Sequence, residues 1–145
     1  MSTCVFCRIA SGELPAHELL KTETVFAFLD RTPLTRGHAL VIPRSHAVTL
    51  QELPESVSAD LGRAIHHLLP LLLESVQAPA ATIALHNGRE AGQEVPHVHW
   101  HVVPRTRGDG AGPIHALFRN RPQIDDAEQS ALAARIRDRL SAPSD

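Results

Sequence analysis

The run His97-Val98-His99-Trp100-His101 is the feature that most restricts what this chain can fold into. On a β-strand, successive side chains point to opposite faces. The three imidazoles would then share one face, and the apolar residues between them would share the other. The run therefore predicts a half-buried strand, with a helix packed under its apolar face and chemistry on its histidine face.

Short strands and two helices are predicted around this run. Val, Ile and Phe content and Pro or Gly punctuation mark the strands, and apolar positions at helical spacing mark the longer helix. Pro70 is expected to kink or shorten that helix, and Asp125 with Glu128 predicts the start of a second, C-terminal helix. The predicted strands are 17–21, 24–29, 39–42, 82–86 and 97–103, and the predicted helices are 55–76 and a segment ending at 140.

Strands that follow one another without regular βαβ alternation favour an α+β fold. We predict an antiparallel sheet of about five strands, with the main helix packed on one face and a C-terminal helix. A length of 145 residues predicts a single domain over 1–145.

Composition excludes several classes of partner. The net charge of −2 argues against a general nucleic-acid or anionic-membrane surface. The longest apolar stretch, around residues 68–73, is too short to span a bilayer. The first residues carry no basic-then-apolar signal, so we expect a cytoplasmic location.

The residues alone leave the chemistry of the histidine face open. Three imidazoles could bind one catalytic zinc ion, could divide nucleophile and acid–base roles, or could be solvated without function. Cys4 and Cys7 form a CxxC pair, which is typical of half a zinc site or of a redox couple.

The flanking sequences add a specific resemblance. Together with the histidine run, they resemble the histidine-triad (HIT) nucleotide-binding family from residue 4 to about residue 105, and the bacterial zinc-binding members in particular. The matching segments are Cys4-Val5-Phe6-Cys7-Arg8-Ile9, Gly12-Glu13-Leu14-Pro15-Ala16, Phe28-Leu29-Asp30, Gly37-His38-Ala39-Leu40-Val41-Ile42-Pro43, Gly92-Gln93-Glu94-Val95-Pro96 and Val103-Pro104-Arg105.

This resemblance implies an enzyme with a covalent intermediate. His99 would attack the α-phosphorus of a nucleotide and form a nucleotidyl-histidine, which water or another acceptor then resolves. A hydrogen bond from its other nitrogen, to a carbonyl expected on a neighbouring strand, would fix its tautomer. His101 would donate to a phosphate oxygen, and Asn87 and Gln93 would contact the phosphate or the leaving group.

The same resemblance implies a nucleotide pocket. Asp30 would accept hydrogen bonds from ribose hydroxyls, and His38 would support the site from a buried position. The substrate would be a dinucleoside polyphosphate or an adenosine phosphoramidate. Glu94 stands where the eukaryotic branch often has serine. The remaining pocket residues implied are Phe6, Ile9, Phe28, Arg31 and Val95.

A structural zinc ion and a homodimer complete the implied features. His46 and His97 would join Cys4 and Cys7 in a closed Cys2His2 site. Family members commonly pair through the main helix and an edge strand. Two other hypotheses remain: a zinc metallohydrolase with all three histidines as ligands, and a nucleotide-binding protein without catalysis.

Overall fold

A five-stranded antiparallel sheet forms the centre of the computed structural model, which describes residues 2–143. The sheet lies in a first compact unit that ends at Gly110, and a second unit begins at Ala111. The strand order is β1-β2-β3-β5-β4. The elements are α1 Val5–Ala10, β1 His17–Lys21, β2 Val25–Leu29, β3 Ala39–Pro43, α2 Glu55–Val76, β4 Ala80–Leu85, β5 Trp100–Arg105 and α3 Asp126–Ser141.

Alternation along the strands produces one core on each face of the sheet. On β3, Ala39 and Val41 pack in the cluster that includes Leu61 of α2. Leu40 and Ile42, the residues between, pack on the opposite face with residues of α1. Two apolar faces explain why all five residues of β3 are buried. The prediction of an α+β fold with an antiparallel sheet and a packed main helix is confirmed.

Strand β5 differs from its prediction at both ends. It begins at Trp100 instead of His97, since its register with β3 stops at Val41↔Trp100. Pro43, the last residue of β3, has no N–H to donate to a neighbouring strand. Its carbonyl accepts a hydrogen bond from the ring of His97 and not from a backbone amide of that segment. Pro104 does not end β5, because it lies beyond the last residue of β3 that pairs with this strand.

The segment before β5 still keeps the predicted alternation. The amide of Val98 donates to the carbonyl of Ala47, outside the sheet, and the Val98 side chain joins the core under α2. The rings of His97 and His99 lie on the other side, both in edge contact with Phe6 of α1. Irregular pairing therefore leaves the division into an apolar and a histidine face intact.

Helix α2 passes Pro70 without being shortened, contrary to one of the two predicted outcomes. It ends at Val76, and the following residue, Gln77, has a φ of 57°, which places a non-glycine residue in the left-handed region. Strand β4 covers Ala80–Leu85, two residues earlier at its start than predicted. No helix among residues 2–143 is long and apolar enough to cross a membrane.

The second unit contains a short 3-10 helix, Ile114–Leu117, and helix α3. Asp125 caps α3 as predicted, because its Oδ1 accepts the amide of Glu128 at 2.8 Å. The single domain over 1–145, which was expected from the chain length, stays a prediction.

Candidate active site and metal centre

A cavity of about 400 Å³ opens on the α1 side of the sheet. Its walls come from α1, the end of β2, the loop before β5, and β5 itself. Eight of the predicted substrate-binding or catalytic residues line it: Phe6, Ile9, Phe28, Asp30, Arg31, Val95, His99 and His101.

His99 is held by a hydrogen bond from one of its two ring nitrogens. Its Nδ1 donates to the carbonyl oxygen of His97 at 2.7 Å, so the proton resides on Nδ1 and Nε2 keeps its lone pair. This acceptor lies two residues earlier in the same segment. The predicted acceptor was a carbonyl on a neighbouring strand, and that prediction is wrong. Burial, more than any nearby charge, lowers the pKa of His99 and keeps the ring neutral.

A chain of hydrogen bonds fixes the tautomer of His101. A backbone amide can only donate, so the Leu34 amide at 3.1 Å makes Nδ1 of His38 an acceptor. The proton of His38 is then on Nε2, which lies 3.0 Å from Nδ1 of His101 and donates to it. His101 consequently carries its own proton on Nε2. The predicted phosphate donor is therefore a neutral N–H group.

The pKa of His101 is lowered to about 4, first by burial and then by the neighbouring rings of His99, His38 and His86. Burial also lowers the pKa of His38. The rings of His38, His99 and His101 are therefore neutral at physiological pH.

Asp30 has two tasks at the end of β2. Its Oδ1 accepts the amide of Thr32 at 2.9 Å and so forms the turn that follows the strand. The residue also lines the cavity. Asp30 therefore closes this turn with one carboxylate oxygen and also belongs to the cavity wall, where it was predicted to accept hydrogen bonds from ribose hydroxyls.

Asn87 and Gln93 are not among the residues that line this cavity. Oδ1 of Asn87 accepts the Leu50 amide at 2.8 Å. Oε1 of the buried Gln93 accepts the Gly88 amide, and its Nε2 donates to the carbonyls of Val48 and Val95. These side chains hold the loop that precedes β5, and their direct contact with a phosphate stays a prediction.

Cys4, Cys7, His46 and His97 converge as predicted. Sulfur-to-Nδ1 distances are 3.4 Å for Cys4–His97, 3.5 Å for Cys7–His97 and 3.3 Å for Cys7–His46, and the two Nδ1 atoms are 3.2 Å apart. Zinc–sulfur bonds of about 2.3 Å and zinc–nitrogen bonds of about 2.0–2.1 Å at tetrahedral angles require nitrogen–nitrogen separations of about 3.3 Å and sulfur–nitrogen separations of about 3.6 Å. The four donors therefore fit a tetrahedral zinc ion.

The buried ring of His97 is oriented for such a role. Its Nε2 donates to the carbonyl of Pro43 at 2.9 Å, which leaves the lone pair of Nδ1 directed at the cysteine sulfurs. Burial lowers the pKa of His97, so the ring is neutral, as a metal ligand must be.

The three histidines of the run do not converge on one point. His97 belongs to the cysteine group, while His101 lies in a second group with Asp30 and His38. Among residues 2–143, His99 joins neither group. This separation disfavours a catalytic metal held by all three imidazoles.

Sequence reasoning did not assign several residues of the cavity wall. His86, which follows β4 directly, lines the cavity. The sequence did offer a sign of this, because His86 is a histidine next to the polar loop that leads to the histidine run. Gly92 of that loop also lines the cavity, as does Glu94, which the resemblance had placed only where the eukaryotic branch often has serine. Leu40 had no such signal, because an apolar residue on a buried strand is ordinary core.

Comparisons with known proteins agree with this geometry. The model of the HIT domain family matches residues 11–108. The adenosine 5′-monophosphoramidase of Schizosaccharomyces pombe is 39% identical over 106 residues, 71% of this chain and 74% of that protein. The adenylylsulfatase of Arabidopsis thaliana is 33% identical over 137 residues, 94% of this chain and 69% of that protein.

Solved structures show the same fold. A member of the HIT family of proteins from Bacillus subtilis superposes with a TM-score of 0.85 at 27% identity, covering 98% of this chain and 100% of that one. A zinc-bound histidine triad family protein from Mycobacterium smegmatis has a TM-score of 0.72 at 34% identity, covering 97% and 98%.

Proposed function

The chain belongs to the HIT domain family, and on that premise we propose that it is a hydrolase or nucleotidyl transferase acting at the α-phosphorus of nucleoside phosphate derivatives. Relatives named adenosine 5′-monophosphoramidase and adenylylsulfatase support this class and an adenosine-containing substrate. The leaving group would be that of a phosphoramidate or of a dinucleoside polyphosphate.

The base and ribose would occupy the wall formed by α1 and β2. Phe6, Ile9 and Phe28 offer an apolar surface at this end of the cavity. Asp30 lies beside them and offers a carboxylate oxygen to the ribose hydroxyls. The α-phosphate would then lie near His99, whose ring centroid is 5.1 Å from that of Phe6.

Catalysis would proceed in two displacements. Nε2 of His99 forms a bond to phosphorus while the bond from phosphorus to the leaving group breaks. His101, through its Nε2–H, stabilises the charge on the phosphoryl oxygens. Water then attacks phosphorus, the nitrogen–phosphorus bond breaks, and a nucleoside monophosphate is released with a proton.

The observation that carries this proposal is the tautomer of His99 inside the cavity. The bond from its Nδ1 to the carbonyl of His97 leaves a neutral ring with a free Nε2. A solvated or purely structural histidine needs no such arrangement.

Replacement of His99 tests the proposal. His99→Ala and His99→Gly should lose hydrolysis of adenosine 5′-phosphoramidate and diadenosine triphosphate, while AMP still binds in a calorimetric titration. In the unmodified protein, an intact-mass measurement after a rapid alkaline quench should show an adenylylated chain. His17→Ala, an exposed change on the outermost strand β1, serves as the control and should keep full turnover.

Three outcomes separate the hypotheses. Hydrolysis that survives in His99→Ala contradicts the nucleophile assignment. AMP binding without any turnover in the unmodified protein favours a non-catalytic nucleotide-binding protein. Turnover that a chelator abolishes, with no adenylylated chain, favours the metallohydrolase.

We also propose a structural zinc ion in the group of Cys4, Cys7, His46 and His97. The donor spacing and the zinc-bound relative support it. Zinc in this site would have no open position for substrate, so it would fix α1 beside the segment carrying His99. Cys4→Ser should remove about one equivalent of zinc in a metal analysis, and full zinc content in that variant would contradict the site.

A homodimer is the third proposal. Two large apolar side chains support it: Leu71 on α2 is 64% exposed, and Ile83 on the outer strand β4 is 41% exposed. Light scattering should give the mass of two chains, and Leu71→Glu with Ile83→Glu should give the mass of one. A monomeric unmodified protein would rule out the dimer. The cytoplasmic location stays a prediction.

A further inference from the structure

A fourth imidazole continues the row of rings in the cavity. His86 follows the last residue of β4, and its half-buried side chain lines the cavity. Its ring centroid lies 5.5 Å from that of His101, which lies 5.0 Å from that of His99. Since His99 contacts Phe6, the order along the cavity is Phe6, His99, His101, His86.

The polar atoms of His86 have no hydrogen-bond partner within the described part of the chain. Among residues 2–143 its ring makes no hydrogen bond, whereas the rings of His38, His99 and His101 are each bonded to a protein atom. The loop glycine Gly92 approaches it closely, because a Cβ atom built there would lie 4.0 Å from Nδ1 of His86. An unbonded imidazole in a cavity wall is available to a ligand.

The direction of the row indicates which part of the ligand would reach His86. In an in-line displacement at phosphorus, the leaving atom departs opposite the attacking nitrogen. With the nucleoside against Phe6 and the α-phosphate at His99, the leaving group extends past His101. We propose that His86 is a specificity-determining residue that donates a hydrogen bond to an anionic, phosphate-bearing leaving group.

This inference rests on the proposed function for the direction of the substrate. An imidazole N–H is a good donor to a phosphate oxygen and can carry a positive charge. A neutral amine leaving group supplies neither the negative charge nor the oxygen acceptors. His86 would therefore favour dinucleoside polyphosphates over phosphoramidates.

Binding measurements separate the leaving-group contact from the chemistry. AMP lacks a β-phosphate, while α,β-methylene-ADP carries one on a bridge that the protein cannot hydrolyse. Calorimetric titrations of both ligands use the full chain, His86→Ala, His86→Gln and the control His17→Ala. We expect His86→Ala to weaken the analogue about 10-fold and AMP less than about twofold, because one charge-assisted hydrogen bond is lost.

Retained AMP binding shows that the variant is folded. His86→Gln keeps an N–H donor and should lose less affinity for the analogue than His86→Ala does. Equal losses for both ligands, or no loss for the analogue, would overturn the inference. If the unmodified protein binds neither ligand, both proposals fail. If binding follows the expectation but no turnover occurs, only the hydrolytic part of the proposed function fails.

Discussion

The acid limb of the pH–rate profile depends on how strongly the cavity suppresses protonation of His101. Its pKa is lowered from an ordinary 6.5 to about 4, with burial as the largest cause. At pH 5.5 an imidazole of ordinary pKa is about 90% protonated. One with a pKa of about 4 is only about 3% protonated. The pKa of His99 moves in the same direction.

These values fix the sign and the size of the effect on activity. In the proposed mechanism both rings must be neutral, His99 to attack phosphorus and His101 to preserve the bond it accepts from His38. Activity is therefore lost as the pH falls through the lowered pKa values. We expect kcat/KM at pH 5.5 to stay within about threefold of its value at pH 7.5, whereas a loss of about 10-fold would follow from one imidazole of ordinary pKa and about 100-fold from two.

The assay measures kcat/KM between pH 4.5 and 8. The substrate is diadenosine triphosphate if the protein hydrolyses it, and otherwise the best substrate found. This ratio reports on the free enzyme. The fluorescence of Trp100, the single tryptophan, monitors folding over the same range. An acid limb with an apparent pKa near 6.5 or above, without a fluorescence change, would refute this account of the cavity.

Two further predictions concern the packing around the site, measured by urea unfolding. Gly37→Ala should lower the free energy of unfolding by about 3 kcal/mol, because φ is +88° and the new Cβ would lie 2.8 Å from Val76 Cγ1. The control Gly12→Ala has a similar φ of +84° but open space around it, so it should cost only about 1 kcal/mol. Equal costs for the two variants would contradict the steric reason. Gln93→Ala should cost about 2–3 kcal/mol, since it removes the three hydrogen bonds that this buried side chain makes to the backbone of Val48, Gly88 and Val95; the exposed control Gln51→Ala should cost under about 0.5 kcal/mol, and a similarly small cost for Gln93→Ala would show that the loop does not need it.

The fold was predictable because its determinants are local. Period-two alternation and helical spacing are set by neighbouring residues, so β1, β2, β3 and α2 were predicted within a residue or two. The start of β5 was not predictable, since it depends on a hydrogen bond from a side chain to a carbonyl that is distant in the sequence. That contact joins His97 to Pro43, 54 positions away.

The same distinction applies to the candidate site. Residue type and resemblance predicted the cavity residues, and the four predicted metal ligands converge. The directions of the amide groups of Asn87 and Gln93 were not accessible, because side-chain rotation depends on which backbone groups lie nearby. The influence of Leu34 on His101 was equally hidden, since it acts through the tautomer of His38.

His97 contributes two separate groups, its ring to the cysteine cluster and its carbonyl to His99. Every amino acid at position 97 would supply that carbonyl, whereas only a few could supply the ring. Substitution at this position therefore removes the proposed metal ligand without deleting the acceptor that sets the tautomer of His99. This hydrogen bond is encoded by the path of the main chain, which makes it robust to substitution at the residue that provides it.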